Sequence, residues 1–173
     1  MRAAAALFAS DGVDVPLDAV ARAASVGIGT LYRHFPTRDA LVEAVYQQEV
    51  DRLCAAADEL LRVHPPDLAL EAWMQRFVAY AVAKRGLTGA LQSIMASNSD
   101  LFSNTRARLV AAMSLLLNAA MAAGTVRTDM GAEDVLHAMS GVFIIPDDAH
   151  WNARVQPLLR LLMDGLRVRA PSS

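Results

Sequence analysis

The most informative segment of this chain is SVGIGTLYRHFPTRDALVEAVY, residues 25–46. Two glycines flank Ile28, a short run of helix-compatible residues follows, and Pro36 ends it. Because proline lacks a backbone donor and restricts the residue before it, the pattern predicts a short helix over residues 28–35. The stretch has none of the residue pairings of a catalytic site. It predicts a surface shaped to press against another molecule.

The side-chain pattern of this short helix separates an apolar side from a polar one. At about 100° per residue, Ile28, Leu31 and Phe35 fall together on one side. The other side offers groups that can bond phosphate oxygens and guanine edges, namely Gly29, Thr30, Arg33 and His34, with Tyr32 on the flank. A helix over about residues 17–24 precedes it across a tight turn, which predicts a helix-turn-helix. Simple packing of two amphipathic helices is the alternative.

Composition predicts a helical protein with a substantial core. The chain has 173 residues, of which 54% are apolar and 20% are charged, so disorder is not expected. Apolar residues recur at helical spacing along the chain and β-branched runs are rare, which predicts an all-α fold of about nine helices. No apolar run is long enough to span a membrane, and we expect a cytoplasmic protein without a membrane partner. Cys54 is the only cysteine, which excludes an internal disulfide.

The first 47 residues resemble a known DNA-binding domain. Residues 12–46, and above all GTLYRHFPTRDAL, look like the corresponding segment of TetR-family transcriptional regulators. The resemblance implies a helix-turn-helix domain over residues 1–47 and a helical ligand-binding and dimerisation domain over residues 48–173. It further implies a homodimeric repressor of a palindromic operator, released by a small molecule. The residues that would contact DNA are Gly29, Thr30, Tyr32, Arg33 and His34, with Arg38 on a phosphate.

The sequence departs from the family pattern at three places. Ser25 stands where a glycine is common in the turn, and a left-handed backbone there costs a non-glycine residue about 1 kcal/mol. Pro16 stands where a hydroxyl is common at the start of the second helix. The first helix begins almost at Met1, so a basic N-terminal arm is expected to be missing. The missing arm would explain why residues 1–47 have no net positive charge, since they contain four basic and five acidic side chains.

Large apolar side chains in the C-terminal part could line a ligand cavity. They suit the wall of an apolar pocket between helices, although each could instead be ordinary core. The effector is therefore predicted to be an apolar small molecule. The candidate wall residues are Trp73, Phe77, Tyr80, Ile94, Met95, Phe102, Met113, Leu117, Met139 and Phe143.

The last two predicted helices are strongly apolar, and the second of them is apolar over more than one face. This pattern predicts that they are covered by their own chain and by a second copy, in a symmetric four-helix interface. A buried hairpin in a monomer is the alternative. The candidate interface residues are Val135, Val142, Val155, Leu158, Leu159, Leu162 and Leu166.

Enzymatic and metal functions are not expected. Asp147, Asp148 and His150 lie in one loop but lack regular ligand spacing, and no phosphate loop, nucleophile elbow or HExxH motif occurs. No metal site and no cofactor are predicted. An all-α enzyme would need a convergent acid–base pair that the sequence does not display. A helical small-molecule carrier or sensor that has lost DNA binding is the main alternative to a regulator.

Overall fold

The described part of the chain is built from α-helices. The structure is a computed structural model that describes residues 1–97, 99–145, 148 and 150–168, without the side chains of 95–97, 99, 101 and 142. Within these ranges there are nine α-helices, one 3-10 turn and no β-strand. The helices are α1 (Arg2–Asp11), α2 (Leu17–Ala23), α3 (Ile28–His34), α4 (Arg38–Val63), α5 (Pro66–Gly86), α6 (Thr88–Ser97), α7 (Ser99–Ala122), α8 (Ala132–Ser140) and α9 (Trp151–Leu166), with the 3-10 turn at Gly141–Phe143.

The all-α prediction is confirmed, and most helix ends lie close to their predicted positions. Helix α3 stops at His34 because Phe35, which precedes Pro36, has an extended backbone. Apolar spacing predicts a helix from Glu133 to about Ile145, but α8 ends at Ser140 and passes into the 3-10 turn. The same spacing predicts the last helix from Trp151 to about Val168, but α9 ends at Leu166, and the backbone amide of Val168 instead donates to the carbonyl of Thr125 at 3.0 Å.

Packing divides the chain into two compact units, each drawn from two segments. The first contains Met1–Arg52 and Tyr80–Thr105, and the second contains Leu53–Ala79 and Arg106–Ser173. The N-terminal domain predicted over residues 1–47 lies within the first unit, which also includes the end of α5, all of α6 and the start of α7.

The core of the first unit joins the three N-terminal helices to the start of α4. Phe8, Val20 and Val42 are each essentially inaccessible to solvent. The hydroxyls of Tyr46 and Tyr80 lie 3.2 Å apart, which satisfies polar atoms that would otherwise be costly to bury. Gly86 packs so closely on α1 that an added Cβ would lie 2.7 Å from the carbonyl oxygen of Phe8.

The core of the second unit is organised around Trp73. Its indole Nε1 donates to the carbonyl of Leu53 at 2.8 Å, so the buried N–H has a partner. Its ring lies 6.0 Å from that of Phe77, which in turn lies 6.1 Å from the ring of Phe143. At the end of α9, Arg167 donates to Glu71 at 2.7 Å and ties the chain back to α5.

Candidate nucleic-acid interface

The turn between α2 and α3 is fixed by its own backbone hydrogen bonds. Ser25 adopts a left-handed conformation with φ of 56°. The amide of Val26 donates to the carbonyl of Ala21, and that of Ser25 to Arg22, each at 3.0 Å. This is a Schellman arrangement, which normally favours glycine at the left-handed position. The left-handed backbone at Ser25 therefore has a small conformational cost, and the turn that it forms sets the direction of α3.

Helix α3 presents its polar residues to solvent. Leu31 is buried, at 7% exposure, and anchors the helix, whereas Tyr32 is 49% exposed. Gly29, Arg33 and His34 are exposed and Thr30 is half-buried. Ile28 was predicted to lie on the inward side, but it is 38% exposed and lies at the edge of the outward face.

Backbone and side chains on α3 together offer a set of donors for nucleic acid. A Cβ added at Gly29 would meet no atom within 4 Å, so another molecule can approach the backbone there. The same helix carries the hydroxyls of Thr30 and Tyr32, the guanidinium of Arg33 and the imidazole of His34. This set can bond phosphate oxygens and base edges in a major groove.

Arg38 is placed differently from its predicted role as a phosphate contact. Its guanidinium donates to the backbone carbonyls of Val13 and Val15, the latter at 2.7 Å. The side chain therefore provides hydrogen-bond donors for carbonyls in the irregular connection between α1 and α2, and it links this connection to the first turn of α4. Thr37 caps that turn, because its hydroxyl accepts from the amide of Ala40 at 3.1 Å.

The residues predicted to line an effector cavity are mostly well-packed core. Among those in the first unit, Tyr80 and Ile94 are buried and Phe102 is half-buried. In the second unit the buried members are Trp73, Phe77, Met113, Leu117 and Met139, and Phe143 is half-buried. The side chain of Met95 lies outside the described residues. In the first unit, the rings of Tyr46 and Phe102 lie 5.5 Å apart.

The residues predicted to form a dimer interface divide into two groups. Val135, Val155, Leu159 and Leu166 are buried within the protomer, with Leu159 only 3% exposed. Leu158 is exposed and Leu162 is half-buried. The side chain of Val142 lies outside the described residues. The four buried residues thus belong to the inner stripe of the α8–α9 pair, which leaves little of their area for a partner.

An apolar groove of about 520 Å³ is formed by residues of α8, of α9 and of the segment that precedes α8. Leu161, which was not among the residues predicted for the interface, lines this groove and is 69% exposed. At the rim, hydrogen bonding to Arg127 at 2.5 and 2.6 Å lowers the pKa of the Asp129 carboxyl. Leu158, Leu161, Leu162 and Gly165, which we call the outer stripe of α9, follow an i, i+3, i+4, i+7 spacing that can be recognised in the sequence. The groove is lined by Arg127, Met130, Ala138, Met139, Gly141, Leu158, Leu159, Leu161, Leu162, Gly165 and Leu166.

The described part of the chain offers neither a membrane-spanning helix nor a metal-binding cluster. No described helix is long and apolar enough to cross a membrane. No cluster of His, Cys, Asp or Glu among the described residues could hold a metal ion. Of the three loop residues considered for a metal, Asp147 lies outside the described residues, while Asp148 accepts from Arg154 at 2.6 Å.

Sequence comparison assigns both parts of the chain to one family. Residues 1–45 match the model of the tetR family of bacterial regulatory proteins. Residues 65–168 match that of the C-terminal domain of SbtR-like transcriptional regulators. The fold and the helix-turn-helix define a bacterial DNA-binding regulator of transcription. The chain belongs to the TetR family.

Solved structures support this assignment over nearly the whole chain. A TetR transcriptional regulator from Streptomyces coelicolor is 43% identical, with a TM-score of 0.89 over 98% of this chain and 97% of its own. A TetR regulator from Mycobacterium vanbaalenii is 35% identical, with a TM-score of 0.77 over 96% and 92%. The regulator PfmR from Thermus thermophilus shares the fold at 22% identity, with a TM-score of 0.64 over 94% and 96%. No protein with a curated functional description matches the chain.

Family membership establishes the general activity. The chain is a ligand-responsive, DNA-binding transcriptional regulator. Regulators of this family bind operator DNA, dimerise and bind small-molecule effectors. They act through binding and not by catalysing a reaction, so the chain is not an enzyme.

Proposed function

We propose that the protein is a cytoplasmic homodimeric repressor that binds a palindromic operator through α3 and is released by an apolar small molecule. The observation that carries this proposal is the outward face of α3. Gly29, Tyr32, Arg33 and His34 are exposed there, while Leu31 anchors the helix from behind. A helix that is held by one apolar side and presents donors on the other is suited to enter a major groove.

The division of the chain at residue 47 is part of this proposal. Residues 1–47 contain α1 to α3 and the first turns of α4, with every component of the helix-turn-helix. Residues 48–173 would bind the effector and form the dimer. Because Arg38 is engaged by the carbonyls of Val13 and Val15, we assign it to positioning α4 in place of its earlier role as a phosphate contact.

The dimer is proposed to form through the outer stripe of α9. Leu158 and Leu161 are exposed beside the groove, while Gly141 and Gly165 in its wall allow close approach of another backbone. Each of the two subunits has both a ridge of leucines and a groove that can receive the ridge of the other. This is the self-complementarity that a twofold symmetric interface requires. The helix-turn-helix domains of the two subunits would then bind a palindrome with half-sites about 34 Å apart.

The effector is proposed to be apolar because both units have largely apolar cores in which aromatic rings meet. The rings of Trp73, Phe77 and Phe143 form a chain in the second unit, and those of Tyr46 and Phe102 meet in the first. Phe102 and Phe143 are half-buried and so remain reachable from solvent. An apolar molecule that displaces such rings would bury its own surface at about 25 cal/mol per Å².

Arg33→Ala tests the DNA-binding face directly. We expect it to weaken binding to the selected operator by about 1–3 kcal/mol, because a guanidinium on a base edge contributes that much discrimination. The operator is obtained by selection from random DNA, and affinity is measured against operator and random sequence. Arg62→Ala, which removes an exposed arginine at the end of α4, controls for the loss of one charge. Equal weakening on both DNAs would reduce Arg33 to a phosphate contact.

A further inference from the structure

Three apolar side chains form an exposed edge beside the polar face of α3. Val26, in the turn before the helix, is 41% exposed, and Ile28 is nearly as exposed. Tyr32 lies one helical turn beyond Ile28, on a neighbouring part of the surface. We call Val26, Ile28 and Tyr32 the apolar edge. Its exposure contrasts with that of Leu31, which anchors the same helix from its buried side.

The apolar edge is continuous with the proposed DNA-contacting face. Gly29 lies between Ile28 and Thr30 along the chain and has no side chain that could cover either of them. Tyr32 is followed directly by Arg33, which is exposed. A molecule that contacts the backbone at Gly29 and the guanidinium of Arg33 would therefore also cover Ile28. The apolar edge then becomes buried only when DNA is bound.

The chemistry of the major groove restricts what an isoleucine can contact there. Each base edge presents hydrogen-bond donors and acceptors, and the one apolar group among them is the 5-methyl of thymine. Covering a donor or acceptor with an aliphatic side chain leaves it without a partner, which is unfavourable. A thymine methyl, in contrast, is removed from water at no such cost.

We propose that Ile28, assisted by Val26, contacts the 5-methyl group of a thymine in each operator half-site and thereby selects a T·A pair at that position. This inference rests on the proposed binding of DNA through α3. It assigns base specificity to a residue whose helical position alone placed it in the core.

Uracil substitution in the operator tests the contact without changing the protein. Deoxyuridine keeps the hydrogen-bonding groups of thymidine and lacks only the methyl. Each thymine of the selected operator is replaced in turn, in both half-sites, and affinity is measured for the full-length wild-type chain. We expect one or two positions at which replacement weakens binding about fourfold per methyl, or roughly fifteenfold when both half-sites are changed.

The substitution Ile28→Ala links the effect to this residue. Because Ile28 is partly exposed, the variant is expected to fold normally. It should bind thymine and uracil operators almost equally at the sensitive position, since the partner of the methyl is gone. Val63→Ala, which shortens an exposed valine at the end of α4, should keep the full preference for thymine.

The outcomes separate this inference from the proposal beneath it. An enriched operator whose affinity is unchanged by uracil at every position would overturn the thymine contact alone. A thymine preference that persists in Ile28→Ala would show that another residue contacts the methyl. If random DNA yields no enriched sequence, operator binding through α3 fails, and the thymine contact fails with it.

Discussion

Gly86 illustrates at the residue scale how a single hydrogen atom in place of a side chain permits a close contact. A Cβ at this position would lie 2.7 Å from Phe8 O and 3.1 Å from Ala9 Cα, both of which belong to the backbone of α1. Backbone atoms cannot rotate away as a flexible side chain can. The end of α5 and the helix α1 therefore approach each other as closely as they do only because residue 86 is glycine.

We expect Gly86→Ala to lower the free energy of unfolding by about 1–3 kcal/mol, since overpacking forces one of the two helices to move. Gly89→Ala is the matched control, because a Cβ there meets no atom within 4 Å. Alanine in place of that helical glycine should be neutral or stabilise by up to about 1 kcal/mol. Denaturant unfolding of both variants measures the difference. Equal effects would mean that the contact at residue 86 relaxes freely.

The partners of Arg38 predict a structural role for this residue. Charged hydrogen bonds to the carbonyls of Val13 and Val15 hold the connection that leads from α1 into α2. Removing them should cost about 2 kcal/mol of stability. Arg38→Ala should therefore shift the denaturant midpoint, and Arg38→Lys should restore part of it through a single ammonium. A variant with unchanged stability but weaker, less salt-dependent binding to random DNA would return Arg38 to a phosphate contact.

At the scale of the element, α9 carries two apolar stripes with different tasks. Val155, Leu159 and Met163 form the inner stripe and are buried in the protomer. Leu158 and Leu161 belong to the outer stripe and are exposed. A substitution on the inner stripe would disrupt the protomer itself, so Leu159→Glu cannot test dimerisation. The outer stripe allows that test.

Leu161→Glu should dissociate the dimer while leaving the protomer folded. In a twofold interface each substitution occurs twice, and each buried leucine contributes about 1.5–3 kcal/mol. Light scattering should show a monomer, and operator affinity should fall because one half-site alone binds weakly. Arg160→Ala, at an exposed neighbouring position, serves as the control. A Leu161→Glu protein that still scatters as a dimer would place the interface elsewhere.

At the scale of the whole molecule, regulation requires that effector and operator influence each other. Helix α4 has 26 residues and so a length of about 39 Å. It begins beside the helix-turn-helix and contributes residues to both compact units. A small tilt of so long a helix produces a displacement of several ångströms at its end. We propose that the effector tilts α4 in this way, so that the two α3 helices of the dimer no longer match the spacing of the operator half-sites.

Linkage gives this proposal a quantitative test. If the effector weakens operator binding by a given factor, the operator must weaken effector binding by the same factor, typically about 5- to 150-fold. An effector is sought by thermal-shift screening of apolar compounds, and its affinity is then measured with and without saturating operator. Operator with scrambled half-sites is the control. Equal affinities would describe a binding site that does not regulate DNA binding.

Local patterns in the sequence determined the helices and the recognition face, because these depend on residues close together in the chain. Apolar spacing, Pro36 and the polar residues next to Gly29 predicted a helix-turn-helix with simple helix packing as the alternative, and the resemblance of residues 12–46 to the family favoured the former. Only the tertiary structure decided which apolar residues face solvent and which polar groups are engaged. Arg38 meets carbonyls 23 and 25 residues away, Gly86 packs on the backbone of Phe8, and Leu159 and Leu161 separate into core and surface. The contacts of Arg38 and Gly86 join segments far apart in sequence, and no local period can encode them.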